Sequence, residues 1–262
     1  MKIAVTGKGG VGKTTIAATL ALLLKDDGYD VIAVDADPDA NLAGALGFPP
    51  DLAAQIVPLA NMRELITERT GAKPGSSGGY FKLNPYVADI PEKYSAKHNG
   101  VRLLVMGGVK TGGSGCVCPE NVMLKSLVTH LLLRSKEVVI LDMEAGIEHL
   151  GRATAQSVDA FIVVVEPGQR SLSTAKAIRR LAADIGITRV WVVGNKVNTP
   201  EEERFIKEQL PGFEFLGFVT YDRRVSEADI QGKSLVDTRA GAVEEIRQIK
   251  ERLLELARPE GA

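Results

Sequence analysis

The chain has 262 residues, 45% of them hydrophobic and 25% charged, which is the balance of a folded globular protein and excludes a disordered one. A formal net charge of −1 gives no general attraction to nucleic acid or to an anionic membrane. No apolar run reaches the roughly 20 residues of a membrane span, and the two cysteines, spaced Cys116-Val117-Cys118, are too close for an unstrained disulfide. The reading is a reducing, cytoplasmic setting in which the pair serves metal or redox chemistry.

In chain order, Lys2-Ile3-Ala4-Val5-Thr6 reads as a short buried strand. It is also the first apolar run, so no secretory segment is expected. Gly7-Lys8-Gly9-Gly10-Val11-Gly12-Lys13-Thr14 follows, and Thr15 to Lys25 then reads as a helix. Strand, glycine-rich turn and helix is the context that makes G-x-x-x-x-G-K-S/T a phosphate-binding loop. The backbone amides of Gly9, Gly10, Val11, Gly12, Lys13, Thr14 and Thr15 surround an anion there, and the helix N-terminus adds its partial positive charge. Lys13 reaches the β and γ phosphates of a nucleotide, and the Thr14 hydroxyl ligates Mg²⁺. The same glycines satisfy the dinucleotide fingerprint, with Asp35 as a ribose acid downstream, but only a triphosphate–Mg²⁺ complex has use for the Lys13-Thr14 pair. Lys8, a second lysine just after the first glycine, makes the loop resemble the deviant Walker A ATPases, the MinD/ParA and nitrogenase iron protein family. That resemblance implies a P-loop NTPase: α/β, doubly wound, with a mostly parallel sheet and helices on both faces, in one domain over 1–262. It also implies a homodimer in which Lys8 reaches the partner's ATP or ADP as a catalytic lysine.

Tyr29 to Asp37 reads as a second strand ending in acids, and ligands of open parallel sheets sit beyond such ends, so Asp35 and Asp37 are expected to face the phosphates. The Asp-x-Asp-Pro run resembles the family's switch I, which makes Asp37 the residue that orients or deprotonates the attacking water. Residues 49–100 read as an irregular insertion, a lid or partner-facing surface with a short helix near Arg63 to Arg69, a glycine-rich loop over 71–79 and an exposed His98. Val101 to Met106 is a further strand. Leu124, Leu127, Val128 and Leu131 then mark the buried face of a helix opening at Pro119, with Cys118 as its N-cap. A thiol at a helix N-terminus is held toward thiolate. Two thiolates in one loop, 107–119, are half of a four-ligand site for Zn²⁺, Ni²⁺, Cu⁺ or an iron–sulfur cluster. The other half is expected from the same loop of a second copy.

Val138 to Gly146 resembles Walker B with switch II: Asp142 holds the Mg²⁺ water shell and the Gly146 amide meets the γ-phosphate. Phe161 to Val165 and Val190 to Val193 are strands with a helix from Arg170 to Leu181 between them. The family's adenine-reading Asn-Lys pair falls on Asn195 and Lys196. Thr199-Pro200-Glu201-Glu202 is a capping box, and Tyr221 and Asp222, after a strand over Phe215 to Thr220, are expected beside the base. Ala242 to Leu256 is an amphipathic helix with Val243, Ile246, Ile249, Leu253 and Leu254 on one side; its mixed polar face argues against a membrane role.

Three members of the family compete. A MinD/ParA-like spatial regulator needs a membrane helix or a basic DNA-binding face, and an electron carrier like the nitrogenase iron protein spreads its cysteines over separate loops. Gly-Cys-Val-Cys-Pro-Glu-Asn and Asp-Met-Glu-Ala-Gly-Ile-Glu-His-Leu resemble instead the CooC-type maturation ATPases that insert nickel into carbon monoxide dehydrogenase. That resemblance implies Mg²⁺-dependent ATP hydrolysis and Ni²⁺ (or Zn²⁺) shared by Cys116 and Cys118 across a dimer. The implied partner is apo carbon monoxide dehydrogenase, or acetyl-CoA synthase; no nucleic acid and no membrane are implied.

Overall fold

A computed structural model of the chain describes residues 1–75, 80–107, 118–134, 137–144 and 158–257. Eight strands form one sheet: β1 (Lys2–Thr6), β2 (Val31–Asp35), β3 (Ala96–His98), β4 (Val101–Val105), β5 (Val138–Asp142), β6 (Ala160–Val165), β7 (Val190–Val197) and β8 (Glu214–Thr220). Their order is β3-β4-β2-β5-β1-β6-β7-β8, and every pairing is parallel except that of β3 with β4. The helices are α1 (Lys13–Asp26), α2 (Leu42–Ala45), α3 (Pro50–Ala53), α4 (Arg63–Thr70), α5 (Ile90–Tyr94), α6 (Pro119–Arg134), α7 (Gln169–Asp184), α8 (Pro200–Gln209), α9 (Arg223–Ile230) and α10 (Gly241–Leu256).

The central strands are apolar on both faces because both faces are covered. Ile3, Val5, Ala33, Ile140, Ile162 and Val164 point to one side, where Leu20 and Leu23 of α1 and Ile246, Ile249 and Leu253 of α10 meet them. Ile32, Val34, Val139 and Leu141 point to the other, against Leu65 and Ile66 of α4 and Met123, Leu127 and Leu131 of α6. Further along that second face, Val163, Val165 and Val192 pack on Leu172, Ala175 and Ile178 of α7 and Ile206 of α8. The doubly wound α/β expectation holds, and the buried stripe of α6 is the one its spacing marks. On α10, Ile246, Ile249 and Leu253 are buried as expected, whereas Val243 and Leu254 are half-buried and Ala242 and Lys250 complete the buried face.

Two expectations about the insertion change. Residues 49–100 carry α3, α4, α5 and an antiparallel edge strand, β3, so the region is more regular than its composition implies. His98 is not simply exposed: it sits on β3 half-buried, its ring 4.9 Å from that of Phe48. The insertion also meets both described ends of the cysteine loop. The Ala60 amide donates to the Met106 carbonyl at 3.0 Å, and the Gly75 amide donates to Glu120 Oε2, in the first turn of α6, at 3.3 Å.

Ile246 on α10 is fully buried against the sheet, whereas Glu255 on the same helix faces water. Ile246→Ala should lower unfolding free energy in urea melts by about 2–5 kcal/mol, and Glu255→Ala should change it by less than about 0.5 kcal/mol.

Candidate functional site

The carboxyl ends of β1, β2 and β5 open on one point of the sheet, beside the place where the chain turns from winding one way to winding the other. From Thr6 the chain enters the glycine-rich loop, whose Val11 is fully buried and pins the turn to the core. Gly12 precedes α1 in the left-handed region, at φ 94°, and a Cβ there would lie 2.4 Å from Nδ2 of Asn195. Alanine at this position would therefore meet both backbone strain and a clash. Among the described residues no side chain caps α1 and no acid stands in its first turn, so they leave its N-terminal amides and partial charge uncompensated. Neither Lys13, which is buried, nor Lys8, which is half-buried, forms an ion pair among the described residues.

Beside this cationic loop three carboxylates gather: Asp142 feels Thr14 and Lys13, and Asp35 and Asp37 lie within its electrostatic reach. Asp35 and Asp142 are in-register neighbours on β2 and β5, and Asp37 lies two residues past the end of β2. Among the described residues, neither oxygen of the buried Asp142 has a hydrogen-bond partner. Burial pushes its carboxyl up to about 6; Thr14 and Lys13 oppose that shift and Asp37 adds to it. The Thr14 hydroxyl acts on Asp142 from outside hydrogen-bond geometry, so the carboxylate remains open to a further ligand. A buried carboxylate with no partner beside an alcohol oxygen suits a hard divalent cation with its waters, and Mg²⁺ fits the pair of Thr14 and Asp142.

Asp35 departs from its expectation. It is fully buried, and it gives both oxygens to backbone amides: Oδ1 accepts from Asp37 at 3.2 Å and Oδ2 from Leu42 at 2.9 Å. It therefore does not present itself to phosphate or ribose. Burial, and then the charge of Asp142, push its carboxyl up to about 7 against those two hydrogen bonds. Asp37 is half-buried and within electrostatic reach of Asp142, with its Oδ1 accepting the Asp39 amide at 3.0 Å.

The strand-end residues expected at the base are engaged with the loop itself. Asn195 Nδ2 donates to the Val11 carbonyl at 2.7 Å, and Lys196 Nζ donates to the Gly10 carbonyl at 2.5 Å. Glu166 lies 3.7 Å from Lys196 and steadies it, a residue that the sequence reading passed over. The Glu166-Pro167-Gly168 turn at the end of β6 was the available signal. Asp222 caps α9: it accepts the Arg224 amide at 2.9 Å and the Gly241 amide at 3.1 Å, and pairs with the Arg224 guanidinium at 2.9 Å. That guanidinium holds its carboxyl below the usual range. Asp222 thus clasps the starts of α9 and α10, while Tyr221 beside it is exposed.

Cys118 sits where the cap was expected, its carbonyl accepting the Val122 amide at 3.0 Å, but its side chain is buried, at 4% exposure. A thiolate offered to a second chain requires this end of the loop to turn outward. Cys116, Gly146 and most of the 107–119 loop lie outside the described residues. Among the described residues no three His, Cys, Asp or Glu side chains form a metal cluster.

Comparison with known proteins gives a consistent picture. The family model for the CobQ/CobB/MinD/ParA nucleotide binding domain matches residues 2–236. The carbon monoxide dehydrogenase accessory protein CooC of Rhodospirillum rubrum is 46% identical over 99% of this chain and 98% of its own length. An uncharacterised ATP-binding protein of Methanocaldococcus jannaschii is 48% identical over 98% of both. In fold, the chain superposes on a chain of the MinC:MinD cell division protein complex of Aquifex aeolicus with a TM-score of 0.70 at 20% identity, covering 100% and 99% of the two chains. MinD of Pyrococcus horikoshii, solved with Mg-ADP, gives 0.65 at 18% identity, covering 98% and 97%.

The open carboxylate of Asp142 makes a testable demand on stability. The folded chain keeps this proton up to about pH 6, whereas the unfolded chain releases it near 3.8. Ionisation therefore opposes folding: the penalty is absent below about pH 4, grows as pH rises through that window and is complete above it. Without nucleotide or Mg²⁺, Asp142→Asn should gain on the wild type by about 2–3 kcal/mol between pH 4 and 7 in urea melts. A constant difference across that range would place the wild-type proton elsewhere.

Proposed function

Because this chain belongs to the CobQ/CobB/MinD/ParA nucleotide-binding family, in its CooC-type branch, we propose that it is an ATP-hydrolysing metallochaperone that delivers nickel into the active-site cluster of carbon monoxide dehydrogenase. What carries the reading is the union in one chain of a half-charged phosphate site and a Cys-Val-Cys loop, in a protein that aligns with that accessory protein from end to end. The loop amides from Gly9 to Thr15 and the uncapped start of α1 receive the phosphates of ATP, and Lys13 neutralises their charge. Thr14 and Asp142 hold Mg²⁺, which when bound screens the β and γ phosphates. Asp37 orients the attacking water, and the Gly146 amide contacts the γ-phosphate. Asn195 and Lys196 read the adenine with the atoms that the loop leaves them, with Tyr221 and Asp222 alongside.

Lys8 then finds its anion on the nucleotide of a second copy. That pairing turns the two cysteine loops toward each other, so that Cys116 and Cys118 of both chains enclose one Ni²⁺, or Zn²⁺, in four thiolates. Hydrolysis separates the copies and releases the metal to apo carbon monoxide dehydrogenase, or to acetyl-CoA synthase. The coupling requires metal to favour one nucleotide state over the other.

Equilibrium dialysis with ⁶³Ni²⁺ should therefore show one tight metal per two chains whose affinity changes at least about tenfold on adding ATP; equal affinity with and without nucleotide would end the coupled cycle. Exchange of Cys116 and Cys118 for Ala should abolish that metal while leaving ATP binding intact. Lys8→Ala should remain a monomer by light scattering under nucleotide conditions that pair the wild type.

A further inference from the structure

Asp35 is a buried acid in a place where an apolar residue would cost less, since a carboxylate removed from water without a cation beside it is expensive to keep. It is fully buried, and no ion pair links it to any described residue. What it holds is a turn. Its two oxygens accept the Asp37 amide at 3.2 Å and the Leu42 amide at 2.9 Å, one at the start of the segment 36–41 and one at the start of α2 beyond it. The main chain fixes the base of the same turn: the Ala36 amide donates to the Asp142 carbonyl at 2.9 Å, and the Met106 amide to the Asp35 carbonyl at 2.8 Å. Between these anchors Pro38, Asp39, Ala40 and Asn41 are exposed, and among the described residues the side-chain bonds that hold them are local, the Asp39 amide to the Asp37 carboxylate and the Asn41 amide group to the Asp39 carbonyl.

We propose that Asp35 is a positioning residue for ATP hydrolysis, whose two carboxylate oxygens fix the 36–41 turn so that Asp37 stands opposite the phosphate loop. The assignment rests on the ATPase reading above and adds to it the device that aims its water-orienting acid. Two acceptor oxygens on one short side chain are required. Asparagine offers one and turns a donor toward the other amide, so one N–H is left without a partner. A shift of about 1 Å in a group that orients a reacting water is enough to lower turnover roughly 100-fold without weakening substrate binding.

The test is steady-state ATP hydrolysis by the full chain. Asp35→Asn should lower kcat roughly 10- to 100-fold, with KM for ATP and the Mg²⁺ concentration for half-maximal rate each within about twofold of wild type. In an Asp37→Asn background, where the aimed group is gone, adding Asp35→Asn should cost less than about twofold more. A wild-type kcat in Asp35→Asn, a loss that appears in KM or in the Mg²⁺ requirement, or an equal loss in both backgrounds would overturn the assignment. Wild-type hydrolysis answers separately for the ATPase reading. Should the variant fail to fold, hydrogen exchange in the unaltered protein decides. The Asp37 and Leu42 amides should exchange much more slowly than the exposed Ala40 amide, and equal exchange at all three would remove the clamp.

Discussion

An unpartnered carboxylate at the end of a central strand is the constraint around which the rest of the site is arranged. Asp142 is buried with no hydrogen-bond partner for either oxygen among the described residues, and Asp35 stands beside it in register, where burial first and then the charge of Asp142 raise its cost of ionisation. Across from them stand an uncapped helix start and two lysines, neither of which forms an ion pair among the described residues, although Lys13 acts on Asp142 through its charge. Each half is electrostatically incomplete, and each has the sign that a metal–polyphosphate complex would satisfy. The sheet makes this arrangement rigid: strands apolar on both faces leave the acids no freedom to swing toward water.

Much of this was legible in the residues because each signal had a mechanism. The phosphate loop is announced by glycines set between a β-branched run and an alanine- and leucine-rich helix, and the central strands are continuous apolar runs, as burial on both faces demands. What escaped were elements too short to show a period. β3 has three residues, Ala96–His98, with one alanine as its only apolar residue and so no alternation to read. Its one signal was the Asn99-Gly100 pair, which has positive φ at both residues and turns the chain back onto β4.

Four polar residues near the site share one behaviour. Asp35, Asn195, Lys196 and Asp222 are polar groups at strand ends, where such a residue can meet either a ligand or the backbone of a neighbouring loop. Sequence supplies the residue type and the location but not the direction of the side chain. In all four the backbone is what they meet. Buried backbone donors and acceptors in tight loops need partners as much as ligands do, so a cluster of polar residues near a site is a mixture of contacts and struts. Asp142 is distinguished from them by meeting no backbone group among the described residues.

The loop's struts reach it from far away. Asn195 and Lys196 grip carbonyls that lie 184 and 186 positions earlier in the chain, and Lys196 does so from a left-handed conformation, φ 57°, within a stretch where β7 and β8 slip register. During synthesis from the N-terminus, the anion cradle is therefore among the first pieces made and among the last to acquire its final shape. A ribosome-bound fragment lacking β7 carries the whole fingerprint but not the brace that sets it, so competence to capture nucleotide arrives only when nearly the entire sheet has closed.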